Sequence, residues 1–167
     1  QMLNRIKLHL MKFLKISYLL FFCLALEAVI VDTGHANVSL VKFESLEGDR
    51  SKTLLGIKMD MQENWHTYWK NPGDSGGPIK VKWSHDDNIS ISELYWPTPT
   101  LIPYEPLMTY GYKNFVIFPY EINNSNDQNS FIEANIDFLI CDDICVPEKA
   151  LIKTNLNEIK NDVALYD

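Results

Sequence analysis

Along most of this chain apolar and polar residues alternate with a period of two. Leu55, Ile57, Met59 and Met61 alternate with Gly56, Lys58 and Asp60. Ile79, Val81 and Trp83 alternate with Lys80 and Lys82. The cleanest run sets Ile132, Ala134, Ile136, Phe138 and Ile140 against Glu133, Asn135, Asp137 and Leu139. Successive side chains of a strand point to opposite faces, so this period predicts half-buried strands. Residues 38–44, 89–95, 115–122 and 150–155 repeat the pattern less cleanly, and clusters of Gly, Pro, Asn and Asp separate the runs. About seven short strands without a useful helical period predict an all-β fold, an antiparallel β-sandwich of immunoglobulin-like type. Residues 123–129 read as a polar turn. Residues 96–106, which carry Pro97, Pro99, Pro103 and Pro106, read as an ordered loop outside any strand.

The N-terminus breaks this pattern. Arg5, Lys7, Lys12 and Lys15 precede an apolar stretch over residues 16–31, and Gly34-His35-Ala36 offers the small residues a signal peptidase reads. Residues 1–36 are therefore expected to be a signal peptide cut after Ala36, with Met11 as a plausible start and 1–10 as upstream read-through. A retained membrane anchor is the competing reading, because the stretch is only slightly short of a span. Residues 37–156 are then one sandwich domain, and 157–167 a loose polar tail or the start of a linker. Removing four basic and two acidic residues takes the formal charge from −7 to −9. Such an acidic chain without a basic cluster argues against nucleic acid and anionic lipid as partners. A soluble exported domain is expected, in a compartment where disulfides persist.

Export changes the meaning of the cysteines. Cys23 lies in the apolar leader, and Phe22 precedes it where a lipoprotein signal needs a small residue. That leaves Cys141 and Cys145, in Phe138-Leu-Ile-Cys-Asp-Asp-Ile-Cys-Val-Pro147. They are expected just beyond a strand ending near Ile140, in a tight connection within disulfide reach. Closing so short a loop contributes only about 2 kcal/mol. A staple would rather join distant strands or the two sheets. Asp142, Asp143 and Glu148 surround the pair, with Lys149 as the nearby cation, and negative neighbours disfavour a thiolate. The pair thus suits a relay that reacts when a docked partner supplies the geometry, and the residues alone leave staple and redox centre both open. A copper alternative uses Cys141, Cys145 and His66, because soft ligands select Cu(I). It lacks the helix and βαβ frame of thioredoxin-fold copper proteins.

Two further segments carry chemical letters. Gly73-Asp-Ser-Gly-Gly-Pro78 matches the sequence around the nucleophile of trypsin-like serine proteases. Those enzymes need His and Asp upstream in two β-barrels, and His66 lacks their histidine context, so a tight turn between strands is expected instead. In Trp65-His-Thr-Tyr-Trp69, the Trp and Tyr are expected to plug the end of the sandwich, with His66 hydrogen-bonded or solvated. His85 is expected at the surface.

Taken together, Trp65-His-Thr-Tyr-Trp-Lys-Asn-Pro-Gly-Asp74, Trp96-Pro-Thr-Pro99, Tyr110-Gly-Tyr112 followed by Pro119, and Leu139-Ile-Cys-Asp-Asp-Ile-Cys-Val-Pro147 resemble a known family. Their order and spacing are similar to the N-terminal periplasmic domain of the thiol:disulfide interchange protein DsbD, and more so to its copper-tolerance relative ScsB, over residues 38–155. The resemblance implies a periplasmic immunoglobulin-like domain of protein-disulfide-reductase type, without an organic cofactor. It would take reducing equivalents from a membrane and thioredoxin-like donor and pass them to periplasmic disulfide proteins. Carried over, Cys145 forms mixed disulfides and Cys141 resolves them. A cap loop shields the pair, and the matching stretch is residues 104–110, with Tyr104, Leu107, Met108 and Tyr110 as candidate lid residues. The well-known DsbD members have a longer insert between their cysteines and an acidic-acidic-aromatic cap not evident here. The chain also ends at Asp167 without membrane or thioredoxin-like domains. It is expected either to be a piece of a longer membrane protein or to act with a separately encoded donor. A copper-tolerance role and a structural, protein-docking sandwich are the alternative functions.

Overall fold

The computed structural model describes residues 29–47, 50–124 and 129–162; within these, the side chains of 44–47, 50–52, 104 and 124 are not described. Most of the expected leader (1–28), the centre of the polar turn (125–128) and the last part of the tail (163–167) lie outside the described residues.

Eleven strands run in chain order as β1 (Ile30–Asp32), β2 (Ala36–Glu47), β3 (Arg50–Met61), β4 (His66–Gly73), β5 (Lys80–His85), β6 (Ile89–Ile91), β7 (Thr100–Tyr104), β8 (Leu107–Lys113), β9 (Phe115–Asn124), β10 (Phe131–Cys141) and β11 (Cys145–Asn155). A five-stranded sheet has the order β1-β2-β3-β9-β6. The second sheet has the order β11-β10-β4-β8-β7, with β5 also pairing β10. The ladders that build the sheets are antiparallel, and the whole is an immunoglobulin-like sandwich. The alternating residues predicted to face inward do so: Leu55, Ile57 and Met59 from β3, Val116 and Phe118 from β9, and Ile132, Ile136 and Ile140 from β10 are buried in one core. Burying each such side chain contributes roughly 1.5–3 kcal/mol, which sets the register of every inner strand. Among the described residues no helix is long and apolar enough to cross a membrane.

Three segments depart from the expectation. Within residues 96–106, Thr100–Tyr104 form a strand rather than a loop. β7 is the edge of its sheet, and an edge strand tolerates proline because one row of N–H groups needs no ladder partner. The segment 157–162 is not loose. Leu156 and Ile159 are buried against the core end, Lys42 donates from Nζ to the Leu156 carbonyl at 2.7 Å, and Asn161 bridges to Lys42. Finally, residues 29–36 belong to the sandwich framework. Ile30–Asp32 pair with Asn37–Ser39, and Ala36 is buried at the start of β2. The expected cut after Ala36 would detach β1.

Candidate functional site

β10 ends at Cys141 and β11 begins at Cys145, and the two residues face each other as the last registered pair of a hairpin. Asp142, Asp143 and Ile144 make the turn, closed by a 3.1 Å bond from the Asp142 N–H to the Ile144 carbonyl. Facing positions bring the Cα atoms to 4.1 Å, and the sulfurs are joined as a disulfide. The two sulfurs sit in different surroundings. Cys141, at 1 % exposure, is buried, whereas Cys145 is exposed next to an Ile144 that is 68 % exposed. Cys141 breaks the alternation of β10: it lies on the face opposite the core-facing Ile140, with Leu139, and is nevertheless buried there beside Tyr68, while Cys145 starts the returning strand at the rim.

On its other side Cys141 is in register with His66 of β4. Thr67 donates from its hydroxyl to the Leu139 carbonyl at 2.9 Å and fastens β4 to β10 at this point. Tyr68 lies two residues on from His66 and therefore on the same face. Its ring meets the His66 ring edge-on at 5.3 Å, and its hydroxyl donates to Cys141 Sγ at 2.7 Å while lying 3.3 Å from Cys145 Sγ. Burial pushes the Tyr68 phenol above its ordinary value, partly offset by a hydrogen bond from Ser75. The phenol therefore stays a neutral donor at physiological pH, aimed at the inner sulfur. His66 is held below its ordinary value, first by burial and then by the Lys113 ammonium, with Asp142 opposing. His66 is thus neutral near pH 7.

The charge around the pair differs from a reading of its neighbours along the chain. Lys149 pairs with Asp137 at 2.6 Å. The cation that reaches the site is Lys113, which β8 places in register with His66. Glu148 does not act as an acidic flank: it is buried at 7 % exposure, bound by the Thr33 hydroxyl and by His35 Nδ1, and His35 stacks on Trp65 at 3.8 Å. The His66 and Cys141 backbones are adjacent. Yet among the described residues no group of three His, Cys, Asp or Glu is placed to hold a metal, so the copper set Cys141, Cys145 and His66 is not assembled while the sulfurs are bonded.

The four candidate cap residues lie on the β7–β8 hairpin. Met108 and Tyr110 are exposed, Leu107 is half-buried, and Tyr110 meets Trp69 at 6.5 Å; Tyr104 is described by its backbone alone. The residue of this hairpin that turns inward is Thr109, whose hydroxyl is 3.0 Å from Ser75 Oγ. Ser75 therefore has the Thr109 hydroxyl as its partner where a protease nucleophile would have a histidine, and the protease-like string is a turn as expected. Thr109 and Lys113 were not singled out from the sequence; Tyr68 was expected to plug the end of the sandwich but instead lies on the cysteine pair, and Ser75 was weighed only as a letter of the protease-like string. Tyr68 alone carried a signal, its position two residues from His66 on a strand that closes beside Cys141.

A sandwich that buries one sulfur of a close cysteine pair beside a hydroxyl donor and exposes the other defines a thiol–disulfide exchange domain. The family described as "Thiol:disulfide interchange protein DsbD, N-terminal" matches residues 37–157, and the chain belongs to that family. Its fold is similar to the crystal structure of the N-terminal periplasmic domain of ScsB from Proteus mirabilis, with a TM-score of 0.58 and 21% identity, over 79% of this chain and 52% of that one. The chain thus spans about half the length of that structure. No curated protein matches the chain.

Proposed function

We propose that the domain is a periplasmic redox relay that takes two electrons from a thioredoxin-like donor and passes them to disulfide proteins of the same compartment. The observation that carries this reading is the asymmetry of the pair, an exposed Cys145 and a buried Cys141 bonded by Tyr68. A donor thiolate attacks Cys145 Sγ, the Cys141–Cys145 bond breaks, and Cys141 leaves as a thiolate that accepts the Tyr68 hydrogen bond. The donor's second thiol then attacks the mixed disulfide; the donor departs oxidised, and two electrons and two protons stay on the cysteine pair. In the forward direction the Cys145 thiolate attacks a partner disulfide and releases one partner sulfur as a thiol. Cys141 resolves the mixed disulfide, and the domain returns to the bonded form.

Burial explains the division of labour, since an inner sulfur can be a leaving or resolving group without being open to in-line attack by a folded partner. The hairpin bearing Leu107, Met108, Tyr110 and the Tyr104 backbone is the shield over the pair, supported by its tie through Thr109 to Ser75. The N-terminal leader would deliver the domain to the periplasm. A Cys141→Ala variant, reduced and mixed with oxidised thioredoxin-like periplasmic proteins, should accumulate a mixed disulfide through Cys145. The Cys145→Ala variant should trap far less. Equal trapping by both variants would refute the assignment, and no trapping with any partner would make the pair a structural staple.

A further inference from the structure

Cys141 lies on the outer face of its sheet and is still only 1 % exposed, so a cover other than the opposite sheet lies over it. Leu139 shares that face two residues earlier, and Tyr68 bonds the sulfur from β4. The cover is the chain between β4 and β5. Residues 74–79 leave β4, cross this face, and return to let β5 pair with β10. Gly76 seats the Tyr68 ring so closely that a Cβ there would lie 2.1 Å from a ring carbon. Gly77 passes over Leu139, and a Cβ there would lie 3.5 Å from Leu139 Cδ1. The protease-like segment is thus a strap laid over the two residues that flank Cys141.

The strap is tied at both ends. Ile79, buried in the core, and Lys80, in register with Asp137, hold its far end. Its near end is fastened to β8. Gly73 is in register with Thr109, and Asp74 then binds the neighbouring Met108 twice. The Asp74 N–H donates to the Met108 carbonyl at 3.1 Å, and the Met108 N–H donates to Asp74 Oδ2 at 2.9 Å. Both donors are backbone amides, so the direction of each bond is fixed. Asp74 is itself exposed, and its carboxylate holds the strap from outside without adding to the core.

We infer that Asp74 is a positioning residue for the exchange reaction: by fastening the strap to Met108 of the β7–β8 hairpin, it keeps Cys141 closed to attack and leaves Cys145 as the sulfur that an incoming thiol meets. The inference deepens the proposed roles of the two sulfurs and rests on them, but on no protein partner. When strap and hairpin part at Met108, Gly76 and Gly77 lift from Tyr68 and Leu139, and a route to the inner sulfur opens.

The test is the rate at which iodoacetamide alkylates each reduced thiol, followed in the full chain by mass spectrometry of the peptide that carries it. In a Cys145→Ala chain, adding Asp74→Ala should speed alkylation of Cys141 about fivefold, the gain in open strap that follows from losing one hydrogen bond. Asp74→Asn removes the charge but keeps an oxygen for the Met108 N–H, and should stay within about twofold of the parent. In a Cys141→Ala chain, Asp74→Ala should leave the Cys145 rate within about twofold. An unchanged Cys141 rate overturns the inference. So does an equal rise at both thiols, which marks general loosening, or an equal rise with Asp74→Asn, which marks the field of the carboxylate rather than its bond. Should Asp74→Ala unfold the single-thiol chain, the disulfide-bonded chain supplies the comparison. After brief glutathione treatment and an acid quench, Asp74→Ala should raise the share of glutathione on Cys141 about fivefold, and an unchanged share overturns the inference. No periplasmic protein takes part, so failed trapping of such partners would refute the relay and leave these rates as they are.

Discussion

Replacing Tyr68 by Phe removes one oxygen from the interior and leaves the ring in its seat beside Gly76. The missing hydroxyl lies 2.7 Å from Cys141 Sγ. A disulfide sulfur is a weak acceptor, so the bond contributes little in the oxidised form. A thiolate is a charged acceptor, and hydrogen bonds to charged groups contribute about 1.5–3 kcal/mol. The difference falls on the step in which Cys141 leaves. With about half of the charge developed at the transition state, the variant should lose roughly 1–1.5 kcal/mol of stabilisation there, about a five- to tenfold slower opening. The same change should cost the oxidised domain only about 1 kcal/mol of stability, the contribution of one neutral buried hydrogen bond. The assay is stopped-flow reduction by dithiothreitol at pH 7, paired with urea unfolding of the oxidised protein. An unchanged rate in a variant that unfolds at the parental midpoint would refute the role of Tyr68 as donor to the leaving sulfur. A large loss of stability with no kinetic effect would mark it as a core residue only.

Other perturbations follow from the same geometry. Gly76→Ala sets a methyl group against the Tyr68 ring at a left-handed φ, and should lower stability by about 2 kcal/mol or more in urea titration while slowing reduction as Tyr68→Phe does. His35→Ala removes a partner from the buried Glu148 and should cost about 1–2 kcal/mol, read from the urea midpoint at pH 7. Because β1 and His35 both pack onto the sandwich, mass spectrometry of the exported protein should find a mature N-terminus before Ile30; a chain starting at Asn37 would contradict this. His66 has a folded value below its unfolded 6.5, so the unfolded chain binds the extra proton as pH falls, and the domain loses stability on acidification below about 6.5. His66→Gln should flatten that part of the pH–stability curve, and an unchanged slope would show that other groups govern it.

Much of the sandwich was legible because burial and strand geometry share one period. Ile132 to Ile140 could face inward only in one register, and no distant residue could alter that without exposing the whole row. β7 was not legible for the opposite reason. Four prolines are a sound argument against an inner strand, and whether a strand lies at an edge is a property of the sheet order, which no local pattern contains. The burial of Ile159 was missed for a similar reason, as one apolar residue in a polar tail has no period, and its burial depends on where the sandwich ends.

For the site, the sequence by itself determined the reactive group: a close pair of cysteines, four positions apart, with letters around it that resemble a redox family. It could not assign their surroundings. Hairpin register set the two cysteines face to face, and β4 arriving beside β10 put a phenol on the buried sulfur of Cys141. The charges moved too, with Glu148 drawn to His35 and Thr33 and Lys113 brought in from a strand far along the chain. Reactivity of a thiol depends on groups within a few ångströms, and only the tertiary fold decides which those are.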